Sequence, residues 1–125
     1  MVSAFRILGE GQLSLTKFLL LTDRSVDLRD FQATLAHVLA RTRFQTDLYV
    51  FGSLSMDTLD YAGPEVNKGS KGVLLGLGEP VRTLPTTFAG TLPPEFPRAE
   101  VFCPGCLVVQ GRAFAQDRGA AAALA

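Results

Sequence analysis

Few groups in this chain could do chemistry, and their spacing limits which chemistry that is. Cys103 and Cys106 form a Cys-Pro-Gly-Cys run, the spacing of a dithiol redox centre or of half a zinc site. Redox work needs a thiolate activated at a helix N-terminus, whereas Leu107-Val108-Val109 reads as a strand, so a compact reduced turn is expected. A structural zinc takes four ligands, and the only other Cys or His is His37, expected at an exposed or edge position of a helix. Asp57 and Asp60 make a D-x-L-D pair with the residue types of acid–base or metal chemistry. The same spacing also caps a turn over residues 58–61, and that structural role is the expectation. Gly69-Ser70-Lys71 invites a phosphate-binding reading, but a P-loop runs G-x-x-x-x-G-K-[ST] between a strand and a helix. Here the loop leads into the apolar run from Val73. Lys68 and Lys71 are therefore expected to make structural or interface contacts, with a partner's carboxylate as one candidate.

The elements that must position these groups are legible in outline. At 125 residues with 47% hydrophobic content, residues 1–125 are read as a single domain with enough apolar material for a core. Twelve basic residues balance twelve acidic ones, which gives no basic footprint for nucleic acid and no polybasic membrane patch. Apolar runs fall far short of the roughly 20 residues of a membrane span. No secretory signal opens the chain, two cysteines make no disulfide framework, and a cytoplasmic location is expected.

Residues 2–9 are expected to form a short helix with Phe5 and Leu8 on one face, stopped at Gly9. Residues 17–22 read as a buried strand. Asp27 is the expected cap of a helix over residues 28–41, with Leu28, Phe31, Leu35, Val38 and Leu39 as its apolar stripe. Residues 48–51 and 73–77 supply two further strands. Strand, helix, strand predicts a βαβ unit with parallel pairing, so the fold class is α/β, a small three-layer-like sheet. Residues 78–98 hold most of the prolines and read as loop. Residues 99–102 and 107–110 are short strand candidates on either side of the Cys-Pro-Gly-Cys corner. Leu54, Ser55 and Met56 follow the second strand, and ligands gather at strand ends in open α/β sheets.

Several segments occur together in order: Gln12-Leu13-Ser14-Leu15-Thr16-Lys17-Phe18, then Leu19-Leu20-Leu21-Thr22-Asp23, then Asp57-Thr58-Leu59-Asp60, then Asn67-Lys68-Gly69-Ser70-Lys71-Gly72. Over residues 11–80 this succession resembles the C-terminal domain of UbiD-family decarboxylases. Where that family continues Gly-Ser-Lys with an Asp-Ala-Thr type of segment, this chain has Val73-Leu74-Leu75-Gly76-Leu77, which suggests a separate branch. The resemblance implies an enzyme several times longer, with prenylated flavin mononucleotide and a divalent metal in the full-length protein. No cofactor is expected in this portion. It implies that an N-terminal flavin-binding region carries the catalytic carboxylates and arginine. This domain would then wall the substrate pocket through Leu13, Ser14, Leu54, Ser55 and Met56, and would support a homo-oligomer. The implied substrate is an aromatic carboxylate of the quinone-pathway type, a hydroxybenzoate or hydroxynaphthoate. An apolar enclosure suits such chemistry, because it favours neutral carbon dioxide over a buried carboxylate.

The chain would then be a portion of that enzyme, with residues 111–125 as a truncated tail and no catalysis of its own. Two other readings of the residues stay open. One is a stand-alone interaction or oligomerisation module, and the other a small thiol oxidoreductase using Cys103 and Cys106.

Overall fold

The computed structural model of the chain describes residues 1–56, 63, 65–94, 96–113 and 115–116. The expected Asp57–Asp60 turn and the alanine-rich tail lie outside the described residues. Helix α1 (Val2–Gly9) is followed by a 3₁₀ turn (Gly11–Leu15), strand β1 (Phe18–Thr22), helix α2 (Phe31–Arg41) and the single-turn helix α3 (Phe44–Asp47). Strands β2 (Leu48–Ser55) and β3 (Lys68–Gly76) come next, then the hairpin strands β4 (Arg98–Cys103) and β5 (Cys106–Gln110). No helix among the described residues is long and apolar enough to cross a membrane.

The fold is α/β, as expected, but the strand order differs from a simple βαβ unit. The sheet runs β1-β3-β2, with β1 parallel to β3 and β2 antiparallel to β3. The parallel partner of β1 is therefore the third strand, and the second is turned round to the edge. Burial along the strands gives the reason. β3 carries the continuous Val73-Leu74-Leu75 run and is covered along most of its length, as a central strand must be. β2 alternates half-buried with exposed residues from Leu48 to Phe51, the pattern of an edge strand.

Two helices sandwich this sheet. Val73 and Leu75 of β3 pack with Ala4 of α1, joined by Leu8, Leu19, Leu21, Tyr49 and Phe51. Phe5 of α1 meets Phe51 edge-on at 5.9 Å. On the other face α2 sits down on Gly76, where an added Cβ would lie 2.6 Å from the Cα of Val38. Thr42 is fully buried, and its hydroxyl lies 2.9 Å from each of the carbonyls of Val38 and Leu75, which share its proton.

Helix α2 begins three residues later than the first acidic cap suggested. Asp30 is its N-cap and accepts from the Ala33 amide at 2.9 Å. Asp27 instead closes an Asx turn on the Arg29 amide at 3.0 Å, and its own carbonyl accepts from Thr34. Leu28 is consequently 82% exposed and drops out of the apolar stripe. The hairpin follows expectation: β4 and β5 are antiparallel, and Cys103 faces Cys106 across a turn in which Gly105 takes φ +79°, open to glycine at no steric cost. Residues 77–97 contain no strand or helix among those described.

Candidate functional site

Between α1 and the far end of the sheet lies a cavity of about 640 Å³. Phe5, Leu8 and Gly9 form its helical wall, and Ser14 and Leu15 come from the 3₁₀ turn. Phe51, Leu54, Ser55 and Met56 of β2 and its end form the opposite wall, with Lys71 of β3 between. Ser14, Leu54, Ser55 and Met56, all named from sequence, are thus brought together. Leu13 is not: it does not line the cavity, whereas its neighbours Ser14 and Leu15 on the same 3₁₀ turn do.

A backbone irregularity makes the β2 wall. Phe51 pairs with Lys71, and the next registered pair is Leu54 with Gly69, so one extra residue is accommodated in β2. Ser53 takes φ 54° there, the left-handed conformation typical of a bulge. In a regular strand residues 51 and 54 point to opposite faces. The bulge puts both on the α1 side, where they line the same cavity.

Lys71 is the site residue whose burial the sequence did not announce. It shares its face of β3 with the core positions Val73 and Leu75, and it is only 6% exposed. Its Nζ donates to the Ser14 carbonyl. Burying an ammonium among apolar groups costs several kcal/mol unless it is paired. The available signal was the position of Lys71 two residues before Val73, in phase with the buried face of the strand. Lys68, by contrast, is exposed and pairs with Glu65 at 2.5 Å.

The remaining chemically capable groups are held in structural roles. His37 is half-buried, with Nε2 3.5 Å from the Thr22 hydroxyl. Burial lowers its pKa from the ordinary 6.5, and the nearby Arg41 and Arg24 add to this. The fold thus favours the neutral ring, while the unfolded chain takes up a proton near 6.5. This contribution to stability is complete above that pH and declines as the pH falls towards the folded value. Urea midpoints at pH 7.5 and 5.5 should therefore show an acid-side loss that is smaller in His37→Gln.

At the C-terminal end of β1, Asp23 accepts from the Gly78 amide at 2.8 Å. That hydrogen bond holds its carboxyl below the usual range. Arg41, buried, donates to the carbonyls of Gly78 and His37 at 2.9 Å each. These contacts tie the chain after β3 back to β1 and α2.

Cys103 is buried and Cys106 half-buried, and both are free thiols. Burial, and then the neighbouring Cys106, push the Cys103 thiol above its ordinary value. A redox nucleophile needs the opposite shift. Iodoacetamide should alkylate Cys103 several-fold more slowly than free cysteine at pH 7, measured by mass spectrometry. Among the described residues no group of three or more His, Cys, Asp or Glu converges as a metal site.

An α/β/α sandwich with an apolar cavity between its first helix and its bulged edge strand defines the class. The profile of 3-octaprenyl-4-hydroxybenzoate carboxy-lyase C-terminal domains matches residues 2–76, from α1 to the end of β3. The chain belongs to this UbiD C-terminal domain family. It is 56% identical over 108 residues to an uncharacterised protein of Chlamydia muridarum, covering 86% of this chain and 19% of that one. It is 46% identical over 110 residues to a Chlamydia pneumoniae protein named as a subunit of 4-hydroxybenzoate decarboxylase, covering 88% and 19% respectively. Among solved structures, the vanillic acid decarboxylase of Sedimentibacter hydroxybenzoicus in its closed form shares the fold. Its TM-score is 0.55 at 16% identity, over 73% of this chain and 19% of that one. The chain thus spans about a fifth of the length of the relatives it matches.

Proposed function

We propose that this chain is the substrate-pocket and assembly domain of a carboxy-lyase acting on an aromatic carboxylate such as a hydroxybenzoate. The observation that supports this reading is the cavity of about 640 Å³, walled by Phe5, Leu8, Leu15, Phe51, Leu54 and Met56. Its size suits a single substituted ring. Its apolar lining favours loss of a charged carboxylate as neutral carbon dioxide. The decarboxylases to which the chain is related are named for 4-hydroxybenzoate and vanillic acid, which are ring acids of this kind.

Among the described residues, the polar side chains lining the cavity are the Lys71 ammonium and the hydroxyls of Ser14 and Ser55. That donor set matches neither the amide cradle of a flavin phosphate nor the oxygen ligands of a divalent metal. In this reading the flavin and metal are therefore held by the longer part of the enzyme, as are the acid and base. The chain alone should release no carbon dioxide from 4-hydroxybenzoate.

The α2 side of the sheet supports the assembly role. Phe18 and Val50 flank Gly72 in register and are 75% and 67% exposed. Apolar side chains left bare in one row suit contact with the rest of the enzyme or with another copy. The pocket reading is tested by equilibrium dialysis of 4-hydroxybenzoate against the wild-type chain and Leu54→Trp. Equal binding by the two would remove it.

A further inference from the structure

Lys71 stands on a core face of β3 at 6% exposure and lines the cavity. An ammonium carries three N–H donors, and among the described residues its partner is one neutral carbonyl, that of Ser14. The glutamates in ion pairs belong to other cations: Glu10 to Arg6, Glu65 to Lys68, Glu79 to Arg24 and Glu100 to Arg98. A methionine would fill the same space without the desolvation cost, so among the described residues the charge has room for a further anionic or strongly accepting partner, and the cavity that Lys71 lines can bring one with a ligand.

The chemistry of the pocket decides which oxygen that is. An ammonium against the carboxylate that leaves would stabilise the ground state and lose that stabilisation as carbon dioxide forms, which retards the reaction. An ammonium against a ring oxygen elsewhere on the substrate positions the ring without that penalty. We propose that Lys71 receives the phenolic oxygen of a hydroxylated aromatic acid, and so selects for ring-hydroxylated substrates. This rests on the pocket reading proposed above. The ligand it predicts is an aromatic ring with an acceptor oxygen on the side away from the scissile group, held by a charge-assisted hydrogen bond.

The test uses the whole 125-residue chain with two probes that differ by one O-methyl group, 4-nitrophenol and 4-nitroanisole. The first presents an ionisable phenol and the second a capped one. The wild-type chain should bind 4-nitrophenolate about tenfold to a hundredfold more tightly than 4-nitroanisole, the range for a hydrogen bond to a charged group. The bound dye should ionise at lower pH than free dye, which its phenolate absorbance reads directly. Lys71→Gln keeps a donor for the Ser14 carbonyl and drops the charge. It should bind 4-nitroanisole as before while losing both the gap and the absorbance shift.

A gap that is absent in the wild type, or that persists in Lys71→Gln, overturns the assignment and leaves the pocket standing. Failure of both probes to bind overturns the pocket and the assignment with it. Should circular dichroism show Lys71→Gln unfolded, the amide resonance of Leu15 in the wild type decides, because it belongs to the peptide whose carbonyl Lys71 holds. It should move clearly further with 4-nitrophenol than with 4-nitroanisole at saturation, and equal movement counts against the assignment.

Discussion

Gly76→Ala is expected to cost about 3 kcal/mol of stability or more, the upper part of the range for forcing atoms into a packed interior. The added methyl carbon would lie 2.6 Å from the Val38 Cα, with Val38 Cγ2 at 2.9 Å. A flexible side chain could swing away from such a contact, but a helix backbone has to move as a unit. Lifting α2 off β3 would also strain the reach of the buried Thr42 hydroxyl across to the Leu75 carbonyl. A domain of this size has only about 5–15 kcal/mol in total, so a large fall in the urea midpoint is expected. Gly9→Ala is the matched control. Nothing lies within 4 Å of its added methyl, and its stability should stay within about 0.5 kcal/mol of wild type. A Gly76→Ala midpoint equal to that of Gly9→Ala would mean that α2 does not rest on the sheet at this point.

The second large effect is on the cavity. Leu54→Trp places an indole into a space of about 640 Å³ from a half-buried position on the bulged strand. A ring already occupying the apolar wall denies a ligand the burial worth about 1.5–3 kcal/mol for a side chain of Phe size. Affinity for 4-hydroxybenzoate should fall by about tenfold to a hundredfold, while stability changes by about 1 kcal/mol or less because the new atoms enter empty space. Equilibrium dialysis reads the first quantity and urea unfolding the second. A loss of affinity accompanied by an equal loss of stability would point to a damaged fold and not to a filled pocket.

Local signals carried most of the elements. Phe5 and Leu8 marked α1 through their spacing, and Pro104-Gly105 marked the β4–β5 turn through the conformation that Gly105 requires. The start of α2 was misjudged by three residues because Asp27 and Asp30 are equally good caps. In the structure Asp30 takes the Ala33 amide, while Thr34 reaches back seven residues to the Asp27 carbonyl. Strand order was illegible because pairing joins residues distant in sequence, and β3 takes the centre because its apolar run needs cover on both faces.

At the site, Ser14, Leu54, Ser55 and Met56 were found from the family resemblance and from their place near strand ends. Leu13 was included because a 3₁₀ turn cannot be told from an incoming strand by composition. Lys71 was read as a loop residue because Gly69 and Gly72 around it suggest a turn, whereas the structure continues β3 back to Lys68. The bulge at Ser53 leaves no mark in the sequence, although it decides which side chains face the ligand.

Everything proposed for the site depends on the cavity between α1 and β2 taking the ring of an aromatic carboxylate. Backbone amide resonances of the ¹⁵N-labelled chain, followed during titration with 4-hydroxybenzoate, put this to the test. Saturable shifts are expected at Leu8, Gly9, Ser14, Leu15, residues 54–56 and Lys71, with α2 and the β4–β5 hairpin unmoved. Shifts centred on the hairpin around Cys103 and Cys106, or no saturable shift at all, would contradict it.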